Sequence, residues 1–177
     1  MNNDVCLAVA CDPTSERIVY FDKDLQQIGG WSLSSAHYQQ HSAGYPTQQQ
    51  KVYPYAAQFL SDATSFVLTH QQDHCYMVEY QTAIANVVKV HSMPPSLKSY
   101  SFYVDSTRTC LIADQANHCL VSLDRDSKIE KHTFDSLREP RSMTFLSTGT
   151  LCVTSWSKSN GVLGGICVIS EENLKST

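Results

Sequence analysis

The sequence predicts an all-β fold: a β-propeller of four-stranded antiparallel blades, with about four blade-like repeats and incomplete ends. Three observations predict it. Apolar residues fall in short runs of about four to seven, rich in Val, Ile, Leu, Phe, Tyr and Thr and bounded by turn residues. No stretch sustains a helical period. The chain also resembles itself at a spacing of roughly 40–45 residues with four strands per copy, which is the spacing of propeller blades. Sandwiches and barrels share the first two features but seldom repeat at one blade length.

The repeat is clearest between residues 10–24 and 112–126. "ACDPTSERIVYFDKD" lies over "IADQANHCLVSLDRD" without a gap, placing Asp12 on Asp114, Ile18 on Leu120, Val19 on Val121, Phe21 on Leu123, Asp22 on Asp124 and Asp24 on Asp126. A second match is independent of the first. "PYAAQFLSDATSFVLT" (54–69) resembles "PRSMTFLSTGTLCVT" (140–154): Pro, four residues, Phe-Leu-Ser, a short turn, then an apolar strand ending in Thr. "LKSYSFYVDSTRTCLIAD" (97–114) follows the same plan with Phe102 in the Phe position.

Four copies result, at about 4–35, 54–92, 97–135 and 139–177, within a single propeller domain or fragment. In the third, strands are expected at 100–104, 109–113, 119–123 and 128–134. The first copy opens on what would be its second strand. Residues 36–53, rich in Gln, His, Tyr, Pro and Gly, read as a long loop.

Composition narrows the function classes. With 177 residues the chain can bury a sizeable core, and 42% apolar against 17% charged residues describes a folded chain. A net charge of −4 opposes general attraction to nucleic acid or anionic membrane. No segment approaches the roughly 18 consecutive apolar residues of a membrane span. The opening "MNNDVCLAVACD" lacks a basic region and reads as a strand, not a signal peptide. Seven cysteines (6, 11, 75, 110, 119, 152, 167), an odd set without a CxxC pair, sit mostly in apolar runs. Reduced, buried thiols and a cytoplasmic location are expected.

The repeating unit, Pro-x4-Phe, apolar strand, Asp-x-x-Asn-x-x, alternating strand, Asp, resembles the NHL repeat. In the third copy Asp114, Asn117, His118, Leu120, Leu123 and Asp124 match that family's D-x-x-N-H-R-I-x-x-F-D pattern. Cys119 stands where the family has Arg; the first copy keeps the basic residue as Arg17 but has Ser15 in place of Asn. The Gly usual after the closing Asp is missing from "DKDLQ" and "DRDSK". The resemblance covers most of the chain outside 36–53. It implies a non-enzymatic module that binds a protein partner through one loop face, as in the C-terminal propellers of TRIM proteins, where substrates are recruited for ubiquitin transfer. No RING or B-box pattern occurs in this sequence. Some NHL propellers grip single-stranded RNA, so RNA is the alternative partner.

In a blade, the turns between second and third strands and the links between blades emerge on one face, where loops vary without disturbing the sheets. Arg17, His74, Tyr76, His118, Trp156 and Lys158 belong to those turns, and Arg138 and Arg141 to the link into the fourth copy. Trp156, flanked by Ser and Lys, is the candidate anchor. Eight of the thirteen Lys and Arg lie between residues 89 and 141, but seven acidic residues there leave a net charge of only +1. That neutralisation weakens phosphate attraction.

"HQQDH" (70–74), beside Cys75, and "HYQQH" (37–41) carry metal-ligand residue types at His-x3-His spacing. On a helix both rings would face one ion; in strand and turn the spacing carries no such geometry. No metal or cofactor is expected. Asp12 and Asp114 repeat one turn position, where a carboxylate pins backbone N–H groups. The enzymatic alternative, a metal-dependent propeller hydrolase or lyase, needs several converging carboxylates, and only two of the four copies carry Asp there. No Gly-x-Ser-x-Gly elbow or Walker loop occurs, and "GVLGG" (161–165) reads as a turn. No catalytic residue is assigned. An incomplete ring leaves open strand edges, so self-association through blade edges is a further expectation.

Overall fold

The computed structural model describes residues 8–12, 14–32, 53–60, 64–71, 74–81, 86–105, 107–156 and 164–170. They contain fourteen strands and no helix: β1 (Ala8–Asp12), β2 (Arg17–Phe21), β3 (Gln27–Ser32), β4 (Tyr53–Phe59), β5 (Thr64–Gln71), β6 (His74–Gln81), β7 (Asn86–Ser92), β8 (Phe102–Val104), β9 (Cys110–Asp114), β10 (Cys119–Leu123), β11 (Ile129–Thr133), β12 (Pro140–Phe145), β13 (Leu151–Ser155) and β14 (Gly165–Ile169). Four antiparallel sheets follow one another along the chain: β1-β2-β3, β4-β5-β6-β7, β8-β9-β10-β11 and β12-β13-β14. The all-β expectation holds, with blade-like sheets of four strands in the middle and three at either end. The predicted loop at 36–53 lies outside the described residues apart from Tyr53, which opens β4. Two compact units divide the sheets in pairs, residues 1–95 and 96–177.

The gapless match read from the sequence is a match of strands. β1 and β2, moved 102 residues along, fall on β9 and β10. The register moves with them: Asp12 pairs with Arg17 as Asp114 pairs with Cys119. Glu16 and His118, one residue before β2 and β10, both have positive φ, 52° and 54°.

The next turn repeats as closely. The Asp22 carboxylate accepts from the amides of Asp24 and Gln26, and that of Asp124 from the amides of Asp126 and Lys128, all at 2.8–2.9 Å. The backbone closes identically, Leu25 N to Asp22 O and Ser127 N to Asp124 O, each 3.1 Å. Asp105 organises the same hairpin through Thr107 and Thr109. Each is a three-residue loop, a turn followed by one left-handed residue. That residue is Leu25 (φ 57°), Arg108 (φ 67°), Ser127 (φ 68°) or, in the last sheet, Gly149 (φ 80°). Leu25 and Ser127 occupy the place after the closing Asp where the NHL pattern has Gly, and the backbone shows why Gly is favoured there.

A prediction follows from this turn. Leu25 is exposed and packs against little, while a non-glycine residue in this conformation costs roughly 1–2 kcal/mol. Gly relieves that cost but adds roughly 0.5–1 kcal/mol of unfolded-chain entropy. Leu25→Gly is therefore expected to stabilise by up to about 1 kcal/mol, raising Tm by a few degrees in calorimetry. Leu25→Ala, which keeps the strain, should give no gain.

Each unit packs a cluster of apolar residues between its two sheets. In residues 1–95, Ile18 and Tyr20 of β2 meet Val67, Val78, Tyr80 and Val87, with Ala57, Phe59 and Val90 at the margin. In residues 96–177, Leu111, Ala113 and Leu120 meet Met143, Leu151, Val153 and Ile169, and the Tyr103 and Phe145 rings lie 4.6 Å apart. Full burial of one such aliphatic side chain contributes about 1.5–3 kcal/mol.

The Pro-x4-Phe motif also has a geometric meaning. Pro54 stands second in β4 and Pro140 opens β12, and in both strands the register slips just after the proline, between Pro54 and Ala56 and between Pro140 and Ser142. Proline has no N–H to give the ladder, so a strand start next to a bulge accommodates it. The extra residues are Tyr55 and Arg141, both exposed.

Candidate functional site

The site begins at Asp114, the last residue of β9. Its Oδ1 accepts from the amides of Lys98 and Asn117, each at 3.3 Å, and its Oδ2 accepts from Asn117 Nδ2 at 2.6 Å. The Cys119 thiol points at the same oxygen from 4.0 Å. Burial, reinforced by the Asp114 charge, pushes that thiol up to about 11, so it remains a protonated donor at neutral pH. Asn117 Nδ2 also reaches Ser96 O at 3.3 Å, and Gln115 N donates to Lys98 O at 2.8 Å. The turn at 115–118 and the segment leading into β8 are thus tied together, and Asp114 ends 3% exposed.

His118 closes this turn and reaches across to the link before β12. Its Nδ1 accepts from the Glu139 amide at 3.0 Å, which places the neutral ring's proton on Nε2. Glu139 O accepts from the Trp156 amide at 3.2 Å. Glu139, just before Pro140, sits at φ 40°, a conformation that costs a non-glycine residue about 1–3 kcal/mol and is held by these contacts. Arg138 donates to Leu137 O at 3.3 Å. Arg141, extruded by the β12 bulge, sets its guanidinium 5.9 Å from the centre of the Tyr100 ring.

His118, Arg138, Arg141 and Trp156, all predicted from sequence, therefore gather at one end of residues 96–177. Glu139 and Tyr100 join them and were not predicted. Trp156 is 41% exposed, and Tyr100, Arg138 and Arg141 are exposed as well. Lys158 lies outside the described residues.

In residues 1–95 the predicted residues fare differently. Arg17 Nε donates to Asp12 Oδ2 at 3.2 Å, bracing its own turn. The Thr14 hydroxyl at 2.6 Å, the Ser15 amide at 3.2 Å and Arg17 together hold the Asp12 carboxyl well below the usual carboxylate range. His74 is not in a turn: it opens β6, paired with Gln71, and is exposed. Tyr76 is a correction too. It lies inside β6, paired with Thr69 and Ser92, and is 7% exposed. β5 and β6 run eight residues each, so strand absorbs the residues expected in the turn and directs the Tyr76 side chain into the unit.

Among the described residues, no three or more of His, Cys, Asp and Glu gather as a metal site, and no helix is long and apolar enough to cross a membrane. His37 and His41 lie outside the described residues. Asp12 spends its oxygens on its own turn, and Asp114 on its turn and the Lys98 amide.

No family model matches the sequence, and no curated protein matches it. Solved structures do. The hydrazine synthase of Kuenenia stuttgartiensis superposes with a TM-score of 0.63 at 11% identity, over 90% of this chain and 41% of that one. The WD40 β-propeller domain of Doa1 gives 0.58 at 10% identity, over 93% and 47%. The fold is that of a β-propeller. A streptogramin B lyase gives 0.57 at 11% identity, over 89% and 49%. At such identities the likeness carries the fold alone. The chain spans less than half the length of these three propeller chains.

Proposed function

We propose that this propeller chain is a non-enzymatic interaction module that binds a protein partner through the loop face around Glu139. One observation carries the reading. Trp156, Tyr100, Arg138 and Arg141 are exposed side by side on loops already fixed by backbone hydrogen bonds. Trp, Tyr and Arg are the residue types that dominate binding energy at protein interfaces, and loops ordered beforehand lose little entropy on binding. The resemblance to NHL propellers adds the role of recruiting a substrate for ubiquitin transfer in a TRIM-type protein. The occurrence of a WD40 propeller domain among chains of the same fold accords with an interaction role. Lyases share the fold as well, but the repeated carboxylates Asp12 and Asp114 are occupied by turn donors and, for Asp114, the Lys98 amide, which favours binding over chemistry.

The double substitution Trp156→Ala, Arg141→Glu tests the reading. Used as bait, the variant should retain a partner at least about thirtyfold more weakly than the unaltered chain, the loss of a single hot spot of about 2 kcal/mol, with its far-UV circular dichroism unchanged. Equal retention by both proteins would refute the assignment of this face. A salt-sensitive shift of labelled single-stranded RNA, abolished by the same double substitution, would assign the face to RNA instead.

A further inference from the structure

The cations of the loop face stand without counter-charges, which narrows the chemistry of what that face can hold. At other turns a carboxylate answers the cation beside it: Arg17 pairs with Asp12, Lys23 with Asp24 and Lys128 with Glu130. Lys98, Arg138 and Arg141 form no ion pair among the described residues, although Asp135 and Glu139 stand in the same link as the two arginines. A guanidinium has five N–H donors. Arg138 spends one on Leu137 O, and Arg141, its guanidinium set over the Tyr100 ring, spends none on a described acceptor. With Nδ1 taken by the Glu139 amide, the exposed His118 ring keeps its Nε2–H for solvent as well.

These donors meet at the junction of the third and fourth sheets. Lys98 and Tyr100 precede β8, His118 closes the turn between β9 and β10, and Arg138 and Arg141 lie on the link into β12, which packs against β8 and β9. The link is fixed in advance: His118 Nδ1 holds the Glu139 amide, and Glu139 O accepts from the Trp156 amide. The exposed rings of Tyr100 and Trp156 flank it with apolar surface.

A planar guanidinium binds a carboxylate through paired, charge-assisted hydrogen bonds, so unpaired arginines on a fixed link match carboxylates in shape as well as in charge. A phosphate chain matches less well. Its charges are dense and continuous, whereas Lys98, Arg138 and Arg141 are interleaved with Asp135 and Glu139. Carboxylates spaced along a peptide can reach the arginines and pass the acids.

We propose, building on the reading of this face as a protein-binding one, that its partner is an acidic peptide: an extended segment whose Asp or Glu side chains dock on Arg138 and Arg141 while an apolar side chain rests on Tyr100 or Trp156.

Selection of phage-displayed random peptides on the complete chain tests it. Retained peptides should carry Asp and Glu at about twice the library frequency or more, and Lys and Arg below it. Fluorescein-labelled copies of them should bind about tenfold more weakly, or worse, once their acids are replaced by Asn and Gln. Arg138→Gln, Arg141→Gln should cost the acidic peptides as much and the neutralised ones little. Selection on Arg138→Glu, Arg141→Glu should instead enrich Lys and Arg, a reversal that a misfolded chain would not produce. Retained peptides without acidic bias, lost on Trp156→Ala, would overturn the acidic partner and leave the protein-binding face in place. Acidic peptides held equally by the charge-reversed variant, or no retained peptide at all, would also overturn the proposal. Tight binding of labelled single-stranded RNA in that last case would overturn the protein-binding reading with it.

Discussion

Replacing Asp114 by alanine is expected to lower the free energy of unfolding by about 2–4 kcal/mol, the cost of leaving buried donors without an acceptor. Its carboxylate holds the amides of Lys98 and Asn117 and the Asn117 side chain while only 3% exposed, so water cannot replace it. Urea denaturation at neutral pH measures the loss. Asp12→Ala is the internal control, because Asp12 stands at the same turn position 102 residues earlier with its donors open to solvent. Its loss should be clearly the smaller. Asp114→Asn, which keeps the shape and one acceptor oxygen, should recover part of the stability. Equal losses at Asp12 and Asp114 would show that burial does not set the strength of this turn. The same substitution should loosen the loop face, since His118 closes the turn that Asp114 pins.

Acid should destabilise residues 1–95 through His91. The ring is 8% exposed on β7, and its Nδ1 has no protein partner among the described residues. Burial, with the nearby Lys89 charge adding to it, pulls the imidazole down to about 4. The unfolded chain takes up this proton near the ordinary value of about 6.5 and the folded chain only near 4, so between those values the unfolded state binds more protons. Stability is complete above about pH 6.5 and falls as pH drops towards 4, by at most about 3 kcal/mol at 1.36 kcal/mol per unit. His91→Met should flatten this part of the stability profile. At pH 8 it should leave stability equal or higher, because a buried polar atom without a partner is removed. An unchanged slope between pH 4 and 6.5 in that variant would contradict the assignment.

Much of this architecture was legible in residue order because its turns are built by local side chains. Asp12 and Asp114, and Asp22 and Asp124, act on amides within a few residues of themselves, so the same letters recur wherever the same turn does. The prolines at the starts of β4 and β12, second and first in their strands, were legible for a similar reason, since a missing N–H restricts where a residue can stand in a sheet. What escaped depended on contacts distant in sequence. Glu139 matters through His118 and Trp156, residues on either side of it by 21 and 17 positions, and its positive φ leaves no trace except the proline that follows. Tyr100 acquires a role only because the β12 bulge turns Arg141 towards it. Tyr76 was misplaced because strand length in the second sheet is set by pairing with β5 and β7, not by the composition of the segment itself.

The measurement that bears most directly on the account is a map of cross-strand nuclear Overhauser contacts in isotopically labelled protein. The expected pairs are Ala10–Val19 and Val19–Gly30 in the first sheet, and Ile112–Val121 and Val121–Lys131 in the third, one pattern written twice 102 residues apart. Contacts of β2 with a strand of another sheet in place of β1 and β3, or helical contacts anywhere between residues 97 and 156, would contradict it.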